Sequence, residues 1–218
     1  TGKIITFACM RFFIELSYKG TNYHGWQVQP NANTVQAEVN KALSTILNTK
    51  IEVMGAGRTD AGVHAKQMFA HFDCSVEFEP LLIISKLNSF LPSDIAVYAI
   101  YDVPEDANCR FDALSRIYKY NVVQQKSPFS TTAYYVRKDL DVKAMNLACK
   151  HILGMQDFTS FSKVNTQTFT NNCNVMMADW QWVANELVFT IKSDRFLRNM
   201  VRAIVGTLLE VGAGKIAP

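Results

Sequence analysis

The stretch Gly57-Arg58-Thr59-Asp60-Ala61-Gly62-Val63-His64 lies between two runs that read as strands, 51–56 and 67–73. Its two glycines permit a tight turn and leave room for a ligand to approach the backbone. Between them lie one cation, Arg58, and one carboxylate, Asp60. A carboxylate held on a tight turn between rigid strands is placed to act as a nucleophile or general base. The same residues also fit a plain hairpin turn whose Asp bonds its own backbone. Chemistry at Asp60 requires an ionised carboxylate, and desolvation disfavours that charge unless a cation is close. Arg58 is the local candidate, and a second cation from elsewhere in the chain is the more secure one.

Outward from this loop, the chain reads as a repeated order of elements. Residues 11–18 alternate apolar and polar as a strand does. A polar loop, 20–30, carries Tyr23, His24 and Trp26. Thr34 is placed to cap a helix running to about Asn48, whose Val35, Val39, Leu43 and Leu47 fit a 3.6 period. Pro80 suits the first turn of a second helix ending near Phe90, and 95–103 is the next strand. Strand, helix, strand, strand, helix, strand is the ferredoxin-like split unit. The second half starts the same order: strand 113–123, a helix capped by Asp141 and ending near Gly154, strands 173–183 and 187–192, and a helix 195–211 with Gly212 just past its end. Its closing strand is missing.

The fold class predicted is therefore α+β. Two ferredoxin-like βαββαβ halves, 1–106 with the loop and 107–218, would share a mixed, mostly antiparallel central sheet. The second half would lack its last strand. Residues 104–112 form the one stretch that could serve as a linker.

Bulk composition narrows the function classes. With 49% apolar and 19% charged residues among 218, the chain is globular. It holds no run of apolar residues long enough to span a bilayer. Cys9, Cys74, Cys109, Cys149 and Cys173 are scattered, odd in number and without Cys-x-x-Cys spacing. That pattern fits reduced thiols in a cytoplasmic protein better than a disulfide framework or a zinc site. Asp60, His64, His24 and His71 share no helix face, so no metal is expected, and His64 reads as a loop-packing residue. A net charge of +3 is compatible with nucleic acid without demonstrating it.

Two further constellations stand out. Arg195, Arg198 and Arg202 fall at i, i+3 and i+7 on the last helix, with Met200, Val201, Ile204, Val205, Leu208 and Leu209 on the other side. Arg202 is expected furthest inside, where a guanidinium would find a carboxylate partner; a solvated arginine stripe is the alternative. Arg116-Ile117-Tyr118-Lys119-Tyr120 alternates rings and cations along a strand. It reads either as an amphipathic strand or as a platform on which a base stacks.

Taken together, these segments resemble the tRNA pseudouridine synthase A family over nearly the whole chain. The octapeptide 57–64 resembles its active-site loop, Arg116 to Tyr120 its second motif and 196–206 its third. Tyr18 to Gln27 resembles a block that lines the RNA cleft, while 91–97, 109–113 and 153–161 resemble its middle and structural blocks. Residues 170–175 depart from the pattern, lacking an arginine often present there. The resemblance implies conversion of uridine to pseudouridine at nucleotides 38–40 of the tRNA anticodon stem-loop. It implies Asp60 as nucleophile without a cofactor, and a homodimer with tRNA lying across both subunits and both halves forming the RNA cleft. Arg58, Tyr118 and Arg202 would bind substrate, Arg202 pairing with Asp60 and Tyr118 packing on the uracil. Arg110, Arg116, Lys119, Arg195 and Arg198 would bind RNA. It also leads to the expectation of further chain beyond Pro218, roughly 30–45 residues, enough for a crossover helix and one strand. A catalytically silent RNA-binding module and a phosphate-binding small-molecule enzyme are the competing readings. The second expects the glycine-rich loop to open a helix, whereas strand-like residues follow it.

Overall fold

A computed structural model describes residues 9–163 and 169–218. The chain divides into two compact units after Ala113.

In the first unit, strand β1 (Met10–Tyr18) buries Phe12, Ile14, Leu16 and Tyr18, every second residue, because the side-chain period of a strand is two. Helix α1 (Val35–Leu47) follows, with Thr34 accepting from Ala37 N at its start. Strand β2 (Met54–Gly55) and strand β3 (Ala65–Cys74) flank the loop. Helix α2 (Pro80–Phe90) and strand β4 (Ile95–Val103) complete the unit. The strands form one sheet in the order β2-β3-β1-β4, and β1 runs antiparallel to both β3 and β4. Across β1 and β3, Arg11 grips Asp73 with two bonds of 2.7 and 2.8 Å and reaches Ala107 O at 3.1 Å. That guanidinium holds the Asp73 carboxyl below its ordinary value.

The strand expected over 51–56 is only Met54–Gly55. The reason lies on α1. Gln36, Asn40 and Ser44, four residues apart, take the backbone groups that a neighbouring strand would otherwise take. Gln36 donates to Val53 O at 2.6 Å, Asn40 accepts from Val53 N at 2.8 Å, and Ser44 accepts from Ile51 N at 2.9 Å. The requirement that buried backbone groups be bonded is met by side chains instead of a ladder. Asn88 on α2 repeats the device, clasping Val97 N and O at 2.8 Å each.

In the second unit, strand β5 (Arg116–Val123) is followed by β6 (Tyr134–Tyr135), helix α3 (Val142–Cys149), β7 (Gly154–Asp157), β8 (Asn172–Val183), β9 (Glu186–Ser193) and helix α4 (Met200–Gly212). The sheet order is β6-β5-β9-β8-β7. Leu187, Phe189 and Ile191 of β9 pack with Met145 of α3 and with Met200, Ile204, Val205 and Leu208 of α4. Asn146 of α3 clasps Trp180 N and O at 2.8 and 3.0 Å.

Several expectations are corrected. The described strands form two sheets where one shared sheet was predicted: the outer edge of β4 is occupied at Val97 by Asn88, and β5 takes β6 on the side away from β9. β6 and β7 went unpredicted because two and four residues are too short to display a period. α3 stops at Cys149, passing through a 3-10 turn over Lys150–Ile152 before Gly154, whose φ is +87°. α4 begins at Met200 rather than at Arg195. Residues 195–197 stay irregular because they place Phe196 against Tyr118 and bury Leu197, and the chain then turns at Asn199, φ +67°. At the other end Gly212 is still helical, and Gly214 takes the left-handed conformation at +70°.

Replacing Asn88 by Leu leaves both Val97 backbone groups without that partner. We expect the unfolding free energy to drop by about 1–3 kcal/mol, read as a lower urea midpoint at unchanged slope.

Candidate active site

The loop between β2 and β3 is shaped by one turn. Val63 N donates to Asp60 O at 3.2 Å, and Gly62 has a φ of +77°. A turn with φ > 0 at its third residue strongly prefers glycine there, so Asp60 sits at the first position of a type II geometry with Gly62 at the third. Asp60 is half-buried and Arg58 is exposed.

Behind the loop lies a segment whose role the sequence did not reveal. Residues 19–26, leading out of β1, form a brace against residues 59–64. Trp26 N donates to Thr59 O at 3.3 Å, and Gly62 N donates to Tyr23 O at 3.2 Å. Gly20 N donates to His64 Nδ1 at 2.9 Å, and Tyr18 Oη shares a hydrogen bond of 2.9 Å with Thr59 Oγ1. The two backbones are in contact: a Cβ at Gly20 would fall on Val63 O, and one at Gly25 on Thr59 O. The brace is fixed in turn by Tyr23, whose hydroxyl donates to Asp94 Oδ1 at 2.6 Å, with Asn22 on Asp94 Oδ2 at 3.1 Å. Burial and the Asp94 carboxylate push the Tyr23 phenol well above its ordinary value, so it remains a donor. The signal available beforehand was the spacing of Gly20 and Gly25 on either side of Tyr23.

Arg110 also belongs to the first unit. It is exposed, and its guanidinium lies 5.5 Å from the Phe111 ring centroid. Next to it, buried Cys109 donates its thiol to Met54 O at 3.0 Å and lies 3.2 Å from His71 Nδ1, tying this segment to β2 and β3.

In the second unit, Tyr118 is half-buried with its ring edge-on to Phe196 at 4.9 Å. Tyr118, Tyr120 and Val122 share the face of β5 that packs on the α4 side, as the alternation predicts. Burial and Tyr134 raise the phenol of Tyr120, while the positive charge of Arg202 acts in the opposite direction, so Arg202 stands near Tyr120. Arg202 was expected furthest inside α4; it lies on the exposed side, opposite Met200, Ile204 and Leu208. Arg195 and Arg198 precede the helix, so the three arginines do not form one helical stripe. Arg116 donates to Asp194 O at 2.8 Å. The Asp194 carboxylate accepts from Asn174 N and Arg195 N at 2.8 and 2.7 Å, bracing the turn before α4. Lys119 is exposed on the other face of β5. Burial pushes the Cys149 thiol up to about 12 and that of Cys173 up to about 11, which leaves both unreactive near neutrality.

Among the described residues, no group of three or more His, Cys, Asp or Glu is arranged to hold a metal ion, and no helix is long and apolar enough to cross a membrane.

The sequence pattern of the tRNA pseudouridine synthase family matches residues 16–112 and 148–218. The chain is similar to tRNA pseudouridine synthase A of Parabacteroides distasonis, 52% identical over 208 residues covering 94% of this chain and 82% of the relative. It is similar to the protein of the same name from Bacteroides thetaiotaomicron, 53% identical over 210 residues, 94% of this chain and 78% of the relative. It is also similar to tRNA pseudouridine synthase A 2 of Clostridium perfringens, 36% identical over 208 residues, 94% and 85% of the two chains.

Gly20→Ala must separate the brace from the loop, because the atom in the way is backbone. We expect a loss of about 1–3 kcal/mol in stability, with amide chemical-shift changes concentrated in 18–26 and 57–64.

Proposed function

Because this chain belongs to the tRNA pseudouridine synthase family, we propose that it is a cofactor-independent isomerase. It would convert uridine to pseudouridine in the anticodon stem-loop of tRNA, at nucleotides 38–40, with Asp60 as nucleophile. The observation that carries this reading is the turn at Asp60: a half-buried carboxylate on a glycine-dependent turn, fixed from behind by the brace 19–26. An acid held this way loses little freedom when it meets substrate, and such positioning is a large part of catalysis.

A uridine within a folded stem-loop is reached only after leaving its stack. Arg58, exposed beside Asp60, fills the vacated space or holds the flanking phosphate. Asp60 then attacks the uracil ring or the ribose C1′; either route breaks the bond from C1′ to N1 and frees the base to rotate. The base rejoins through C5, and the C5 proton is lost. Tyr118, its ring held by Phe196, stacks on the uracil during rotation, and Arg202 supplies the positive charge that an ionised Asp60 needs. Arg110, Arg116, Lys119, Arg195 and Arg198 contact the RNA backbone. We place the enzyme in the cytoplasm as a homodimer. We further propose that each half is ferredoxin-like and that both halves contribute to the RNA cleft. The four-stranded order β2-β3-β1-β4 supports the ferredoxin-like reading of the first half alone.

The test is tritium release from tRNA carrying C5-labelled uridine. The wild type should release label, and Asp60→Asn, which keeps shape and removes charge, should lower the rate by at least about a thousandfold with an unchanged melting curve. Label release by Asp60→Asn at the wild-type rate removes Asp60 from the chemistry, and its absence in the wild type removes the proposed activity.

Tyr118→Phe keeps the ring and should bind tRNA normally while turning over more slowly. Tyr118→Ala should in addition weaken tRNA binding by about 1–3 kcal/mol, measured by filter binding.

A further inference from the structure

The chemistry proposed above gives no task to His64, yet His64 closes the brace on the loop. Its Nδ1 accepts the Gly20 N–H at 2.9 Å, so in this state the ring carries no proton at Nδ1. The bond lies at the far end of the loop from the Trp26–Thr59 joint, and Asp60 sits between the two joints with its own carbonyl bonded to Val63 N. His64 itself is exposed, whereas Gly20 is buried and packs on Val63 O without room for a Cβ, so its N–H depends on His64 for a partner while the two segments stay together.

We propose that His64 is a positioning residue: its neutral ring latches loop 57–64 to the brace, and a proton at Nδ1 releases the loop and stops the chemistry at Asp60. This rests on the reading of Asp60 as nucleophile. A protonated ring presents a donor to the Gly20 donor, so the latch opens rather than weakens. The titratable and charged groups on the segments involved are Lys19, Tyr23 and His24 on the brace, Asp94 bonded to it, Arg58 and Asp60 on the loop, and Lys66, His71 and Asp73 on β3. Partial burial, and after it the charge of Lys19, hold the imidazole below its ordinary value near 6.5. The sign follows. A folded-state value below the unfolded one means the latch is fully closed above pH 6.5 and is lost as pH falls through the folded-state value.

The experiment compares kcat and KM for tritium release from pH 5 to 8 in the wild type, His64→Leu and His64→Asn. Leu has no acceptor, whereas the Asn carbonyl can reach the same N–H and does not titrate. At pH 7.5, His64→Leu should lose about ten- to a hundredfold in kcat while KM moves less than about twofold. His64→Asn should recover most of that loss and lack the acid limb that the wild type shows below pH 6.5. In parallel, imidazole nitrogen shifts and amide exchange at Gly20, Gly62 and Val63 should change together as His64 titrates. Superimposable pH profiles for the wild type and His64→Asn overturn the latch, as does amide exchange indifferent to the charge on His64. A wild type that releases no tritium but whose loop exchange follows His64 overturns the proposed activity and leaves the latch standing.

Discussion

The first unit depends on two backbones lying against each other with no side chain between them. Gly20 and Gly25 allow the brace to touch Val63 and Thr59 directly, and main-chain hydrogen bonds then hold the loop from behind. Everything near Asp60 connects to that contact. β1 ends in Tyr18, which bonds Thr59; the brace continues into Trp26, buried against Gly55 of β2; and Trp26 O accepts from Gln36 N at the start of α1. A main-chain joint of this kind has few soft degrees of freedom. Asp60 therefore takes its position from the central strand of the sheet and not from the loop alone.

How much of this was legible beforehand varies by element, for physical reasons. β1, α1, α2 and β4 have one buried and one exposed face, and their apolar periods mark them in the sequence. The segment 51–53 has the composition of a strand and buries Ile51 and Val53, but its hydrogen bonds go to Gln36, Asn40 and Ser44, more than seven residues away on average, which no local pattern reveals. The start of α4 was misread for a related reason. Residues 195–199 continue a helical spacing, yet Phe196 and Leu197 pack into the core on irregular backbone and the helix starts only after the turn at Asn199. The apolarity of the last helix suggests an inward Arg202, but its burial depends on which side meets the sheet, and that is decided by Met200, Ile204 and Leu208.

Of the candidate site, the octapeptide and Tyr118 carried their signal in residue type and spacing. The brace did not, because its contribution is made almost wholly by main-chain groups. Tyr23 and Tyr118 illustrate the difference. Both are aromatic residues on segments singled out early, but Tyr23 spends its hydroxyl on Asp94 to fix the brace, while the Tyr118 ring is set edge-on by Phe196. Only the partners, brought from far along the chain, separate the two roles.

The amides of Asn88 and Asn146 have an effect outside the folded chain itself. Val97 and Trp180 lie on β4 and β8, and both main-chain groups of each are already taken up by a helix. A strand from another molecule approaching at either point would have to displace two short bonds before gaining any of its own. Exposed sheet margins invite such intermolecular pairing, and proteins commonly block them with charges or prolines. Here two neutral side chains serve the same end, so colloidal behaviour and the docking of helix on sheet rest on the same pair of asparagines.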